Sequence, residues 1–373
     1  MLTPRKPQLL NRLLSAHCKS CKVLAVVTLT LGVLLVSGYL VVPALIKQHL
    51  NQQVLASMGE YSGHVERVSL RLSSLSYVLH GLHIERKNSE AQHPFFAADQ
   101  LIISISLISA INGKLDVNAH IHDAELNFID SPNAPKRQIG TGTNWLNVFR
   151  KILPTSVNTL TLIDGTLRFI NNDIKPEVSL TSHKIRAQLT NLSNASNASD
   201  QRSANGYLQS EIEQSGQLFA KAKFDPDHFD DFYIQAAAKN IQLEEFNDFS
   251  EAYAHLDFKS GYGDLLIELN AKRGELTGYI KPFIHDIQII SWRQDIEEQH
   301  DNPIKLVWEL SLELVQNIIT TLGTDELATK IELRGNISRA EVQSWPAFGE
   351  ALKNTFLNSV KKKFDVTDLA QDG

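Results

Sequence analysis

Cysteine is nearly absent. Cys18 and Cys21 are the only two, and none follows them. A disulfide framework, a thiolate metal site and a cysteine nucleophile are therefore excluded from the rest of the chain. Cys18-Lys-Ser-Cys21 has only His17 nearby, short of the four ligands a structural zinc site needs. Acid is missing from the first 22 positions, which carry Arg5, Lys6, Arg12, Lys19 and Lys22, a charge of +5. The whole chain is −6, so residues 23–373 carry −11. An acidic body argues against nucleic acid, whose phosphates require a basic surface. There is no Gly-x-Ser-x-Gly, no glycine-rich phosphate loop and no His-Glu-x-x-His. The carboxylates are scattered, as on a solvated outer face. The expectation is a chain that is not an enzyme and takes no cofactor or metal.

Charge is also absent from Val23 to Ile46. At about 1.5 Å per residue, those 24 residues cover roughly 36 Å, more than the ~30 Å hydrocarbon core of a bilayer. Gly32, Gly38 and Pro43 are tolerated in membrane helices. Five basic residues precede the run and only Lys47 closely follows it. The positive-inside rule then puts residues 1–22 in the cytoplasm as a basic tail and the body outside. The alternative is a signal peptide cleaved near Val42-Pro43-Ala44. It fits less well, because signal h-regions run about 7–15 apolar residues.

Beyond the span, residues 47–62 form an expected helical extension. From residue 63 the pattern turns to period two. Val68, Leu70 and Leu72 alternate with Ser69, Arg71 and Ser73, and similar runs recur to Ile331 and Leu333. Strict alternation puts one face of each strand on an apolar interior and the other on water. Short strands with turn signals between them predict an antiparallel meander. Residues 142–153 predict a short helix closed by Pro154, and residues 190–206 a polar loop. Residues 303–322 and 344–364 predict amphipathic helices, the second with Ser344 as N-cap and Pro346 in its first turn. Residues 365–373 are left as a tail. A weak repeat relates His122-Asp-Ala-Glu-Leu-Asn-Phe-Ile129 to Ile163-Asp-Gly-Thr-Leu-Arg-Phe-Ile170, offset by 41. Each copy predicts a strand, a tight turn at Asp-Ala or Asp-Gly, and a return strand.

A membrane helix followed by VERVSLRLSSLSYVLHGLHIER and then LIISISLISAINGKLDVNAHIHDAELNFID resembles the start of AsmA-like proteins. WLNVFRKILPTSVNTLTLIDGTLRFIN, GELTGYIKPFIHDIQII and the closing DELATKIELRGNISRAEVQSWPAFGEALKNTFLNSVKKKF are similar to the domain of unknown function 748 within that group. The resemblance covers roughly residues 40–364, and the order of the motifs carries it. It implies a bacterial envelope protein in the inner membrane whose body, residues 63–364, faces the periplasm. Relatives form long grooved β-sheets associated with phospholipid transport towards the outer membrane. The implied fold is mainly β: one transmembrane helix, a curved antiparallel groove-like sheet, and C-terminal helices. No catalytic motif belongs to the family.

Among histidines, His80 with His83 and His120 with His122 are close pairs; in a strand both members of the second share one side, opposite or beside the apolar positions. They are expected to face water. The apolar alternation itself has two readings, a packed core or an open groove for acyl chains. The groove candidates are Leu101, Ile103, Ile105, Val117, Ile121, Leu126, Phe128, Leu160, Leu162, Leu167 and Phe169. The expected function is binding or transfer of membrane lipid along that face. The rival is a non-catalytic assembly factor that binds another envelope protein by a sheet edge or the last helix.

Overall fold

The computed structural model describes residues 8–56, 58–106, 111, 116–143, 145–153, 157–192, 202–254, 256–292, 326–328 and 330–337. The predicted helices at 303–322 and 344–364, and the tail 365–373, lie outside the described residues.

The chain begins with one long helix, α1 (Gln8–His49). Its segment Val26–Val54, which runs on into the next turn, is long and apolar enough to cross a membrane by length and composition. Val26, Val27, Leu29, Leu31, Val33, Val36, Leu40 and Leu45 are exposed. A π-helical turn, Leu50–Val54, ends the helical stretch, so the predicted extension stops sooner than residue 62. Strand β1 (Tyr61–Arg71) already takes up its last part.

One large sheet follows. Its strands are β1, β2 (Ser76–Arg86), β3 (Phe96–Ile105), β4 (Val117–Ile129), β5 (Val157–Asn171), β6 (Val178–Thr190), β7 (Ala204–Ile212), β8 (Gly216–Phe224), β9 (Phe232–Gln242), β10 (Leu256–Lys272), β11 (Glu275–Trp292), β12 (Glu326–Ala328) and β13 (Ile331–Asn336). Each pairs with the next in chain order as far as β12. Strands β12 and β13 both pair with β11 in one continuous register, Phe283 with Ala328 and Ile280 with Ile331. They are two pieces of one edge strand. The order runs from β1 at one edge to β12 and β13 at the other, so the sheet is open.

The sheet is mixed, which corrects the antiparallel expectation: β4 and β5 run parallel. A parallel pair needs a crossover, and the chain between them supplies one through helix α2 (Trp145–Ile152). The predicted hairpins at Asp123 and Asp164 are likewise absent. Both residues sit inside strands that continue through them. The offset of 41 between the two repeat copies is the register of the parallel pair, with His122 opposite Ile163 and Glu125 opposite Thr166.

What Asp123 and Asp164 do is different. Each has a left-handed backbone, with φ of 51° and 55°. Gly81, Lys184, Asn240 and Asp286 take φ of 60°, 50°, 56° and 53° inside β2, β6, β9 and β11. One left-handed residue breaks the extended alternation, so the residues two before and one after it share a side. In β4 the apolar positions are 117, 119 and 121 before the break and 124, 126 and 128 after it. The same switch joins Leu79 to Leu82, Leu162 to Gly165 and Ala238 to Ile241. Ile121, Leu126 and Phe128 accordingly pack against one and the same core cluster.

That cluster is built where helical segments cross the sheet's apolar side. Leu50, Val54, Leu55 and Met58 meet Val65, Val68, Leu79, Leu101 and Ile103, with Trp145, Val148 and Ile152 of α2. An aromatic group pins the far end. The Tyr61 ring lies 4.8 Å from Phe95 and 5.0 Å from Trp145, and its hydroxyl accepts the Gly140 amide at 2.9 Å. Burial pushes the Tyr61 hydroxyl pKa up to about 12. At another corner, helix α3 (Asn247–Ala254) sets Phe249 against Phe169 and Val178.

Edge strand β1 is not left bare. The Asn51 side-chain amide donates to the Val65 carbonyl at 3.0 Å and accepts from the Val65 amide at 2.8 Å. The Gly63 amide donates to the Leu55 carbonyl at 2.8 Å. The residues after α1 thus occupy part of an edge that otherwise offers free backbone groups, and they fasten the helix to the sheet.

Candidate functional site

The paired residues define rows that cross the sheet at right angles to its strands. One row reads Val68, Leu79, Leu101, Ile121, Leu162, Ala187, Leu208, Ala220, Ala236, Ile267, Ile280 and Ile331. Every neighbour in it is a direct partner, and every member is apolar. The adjacent row on the same face reads Leu70, Tyr77, Ile103, Ala119, Leu160, Leu189, Gly206, Ala222, Ile234, Leu269, Gly278 and Leu333. The row between them on the opposite face reads Ser69, Val78, Ile102, His120, Thr161, Gln188, Tyr207, Lys221, Gln235, Glu268, Tyr279 and Glu332. With strands about 4.8 Å apart, eleven spacings make the apolar rows roughly 53 Å long.

The eleven groove candidates all fall on the apolar face but differ in cover. Leu101, Ile103 and Val117 are buried within the cluster under the residues after α1 and under α2, and Phe169 is buried against α3. Ile121, Leu126, Phe128, Leu160, Leu162 and Leu167 are half-buried, and Ile105 is exposed at the end of β3. Direct pairing joins Leu101 to Ile121, Ile105 to Val117, Ile121 to Leu162, Leu126 to Leu167 and Phe128 to Phe169.

A second half-buried stretch lies further on, in β6 to β10, where Leu189, Ala222, Ile234 and Ile267 pack against a cluster with Phe224, Phe232, Leu269, Leu276, Ile331 and Leu333. Ala187, Leu189, Leu208, Leu218, Ala220, Ala222, Ile234, Ala236, Leu265 and Ile267 are all half-buried. Here the rows hold small residues, with Ala187, Gly206, Ala220, Ala222 and Ala236 where β2 and β3 hold Leu and Ile. A Cβ on Gly206 would come within 3.1 Å of the Leu189 side chain and 3.3 Å of the Ala222 Cβ. Period-two alternation marks these strands in the sequence, but nothing local tells a half-covered strand from a covered one.

The histidines lie on the polar side. His120 pairs with Ile102 and Thr161, and its pKa is lowered by burial and then by the nearby His122. His80 shares a hydrogen bond of 2.9 Å with the Ser69 hydroxyl; its pKa is lowered by burial and then by Arg67 and Arg71. His64 and His83 stack at 5.3 Å. Among the described residues, no group of three or more His, Cys, Asp or Glu side chains is arranged to hold a metal ion.

In comparison with known proteins, no family model matches the chain, and no curated protein matches it.

Proposed function

We propose that this chain is a non-catalytic, membrane-anchored lipid-handling protein of the bacterial envelope. In this reading α1 spans the inner membrane with its basic end in the cytoplasm, and the sheet faces the periplasm. The half-covered face of β6 to β10 acts as a groove for acyl chains. The observation that carries it is the pair of apolar rows, continuous over about twelve strands, backed from β4 onwards by a polar row on the other side. A single core needs apolar residues where it is covered. It does not need the half-buried small residues Ala187, Gly206, Ala220, Ala222 and Ala236 spread over β6 to β9. At ~0.8 kcal/mol per buried CH₂, a dozen methylenes contribute about 10 kcal/mol, so burial alone retains a lipid without a specific polar contact. The order of motifs that resembles AsmA-like proteins points the same way.

The test is native mass spectrometry of the full chain extracted in mild detergent. Phospholipid adducts that survive exchange into a second detergent are expected. A bare chain, or one that carries a stoichiometric protein partner on its sheet edge instead, would replace this reading with the assembly-factor one.

A further inference from the structure

Leu72 and Leu75, in the turn between β1 and β2, are 68 % and 42 % exposed, and Ile105 beside them at the end of β3 is 38 % exposed. The Ile105 amide donates to the Leu75 carbonyl at 3.2 Å, so the three belong to one corner. Leu75 is also strained. Its φ is 41°, in the left-handed region that suits Gly or Asn and disfavours a bulky side chain. Neither packing nor turn chemistry calls for leucine at this tip, and sites that keep such strain tend to be functional.

The position of the tip gives the reason. Asn51 pairs with Val65 and Leu55 with Gly63, so the chain after α1 runs opposite to β1. Followed towards its start, α1 therefore goes the same way as β1 goes towards Leu72. Pro43, Ile46 and Leu50 are the partly or fully covered positions on that stretch of helix, at helical spacing. The tip thus lies on the side from which the membrane-crossing part of α1 leaves the sheet. Arg71, exposed next to Leu72, is a cation of the kind that anionic headgroups attract.

We infer that the β1–β2 turn is a second membrane contact: Leu72, Leu75 and Ile105 enter the interfacial layer of the leaflet that α1 leaves. The inference rests on the reading of α1 as the anchor. It fixes the sheet's tilt on the bilayer, with its first apolar rows against the lipid surface.

The test uses the full chain with Cys18→Ser and Cys21→Ser, carrying one environment-sensitive fluorophore on Ser73→Cys, Leu40→Cys or Gln214→Cys. Each is placed in vesicles of phosphatidylethanolamine and phosphatidylglycerol, with and without spin-labelled lipid. The label at 73 is expected to shift to the blue and be quenched by lipid spin-labelled near the headgroup; the label at 214, at the other end of the strands, is not. Adding Leu72→Asn and Leu75→Asn is expected to remove the quenching at 73 without lowering the melting temperature, since Asn accepts the left-handed turn. No quenching at 73, quenching that survives the Asn pair, or a melting temperature lowered by it would overturn the inference. The label at 40 separates the two readings. Quenching there with none at 73 leaves the anchor standing and removes the second contact, while none at either position removes both.

Discussion

Valine at Asp123 and Asp164 probes the device that keeps the apolar face continuous. Both residues hold a left-handed backbone within a strand and leave their side chains exposed on the polar side. A left-handed L-residue costs roughly 1–2 kcal/mol, and Asp and Asn bear it better than most because the short side chain bonds locally. Valine is β-branched and has no such bond, so Asp123→Val or Asp164→Val should each lower stability by about 1–2 kcal/mol. The double variant should lose about 2–4 kcal/mol, with some departure from additivity because the sites are neighbours. The Arg186–Asp164 ion pair, 3.9 Å long and exposed on both sides, is a minor confounder. Asp164→Asn removes it while keeping the backbone preference and should be near neutral. Asp164→Gly should match the native chain or exceed it by up to about 1 kcal/mol. Chemical denaturation of the full chain in detergent, followed by tryptophan fluorescence, measures the series. Equal stability of the Val and Gly variants would refute the claim that these two positions enforce the switch of side.

Other expectations follow from the same geometry. Asn51→Leu strands the Val65 amide and carbonyl at a partly buried edge, and at ~1–3 kcal/mol for each group it should cost about 2–6 kcal/mol by denaturation. Leu101→Asp puts an unpaired carboxylate into the packed cluster and should abolish folding, whereas Leu208→Asp, on the half-covered part, should keep most of the melting temperature and lose bound lipid. His80 and His120 have pKa values below the ordinary imidazole value in the folded chain, so the unfolded chain binds their protons first as the pH falls. Stability should be full above the ordinary imidazole value of about 6.5 and decline below it; His80→Gln with His120→Gln should flatten that decline in melting curves at several pH values.

Much of this architecture was legible in the residues. The uncharged run from Val23, the period-two strands and the short helix around Trp145 follow from composition and spacing, and the fold has elements at each. The pairing did not. Asp164-Gly165 is a favoured hairpin turn, yet a single left-handed residue inside a continuing strand has the same local signature. Neighbouring strands decide between them, and β4 with β5 decides for continuity. The shift of apolar residues from odd to even positions across Asp123 was the available sign. Cover was the other gap. Leu101 and Ala220 both sit in alternating strands, but only the fold puts α2 and the residues after α1 over the first.

The central claim is that acyl chains lie on one face of β6 to β10. Adjacent residues there point to opposite faces, so one strand supplies both test and control. A photoreactive amino acid at Ala220 or Ala236, crosslinked in living cells and analysed by mass spectrometry, should yield phospholipid adducts. The same residue at Lys221 or Gln235, on the polar row, should yield none. Adducts of equal yield from both faces, or only protein adducts from Ala220 and Ala236, would contradict the account.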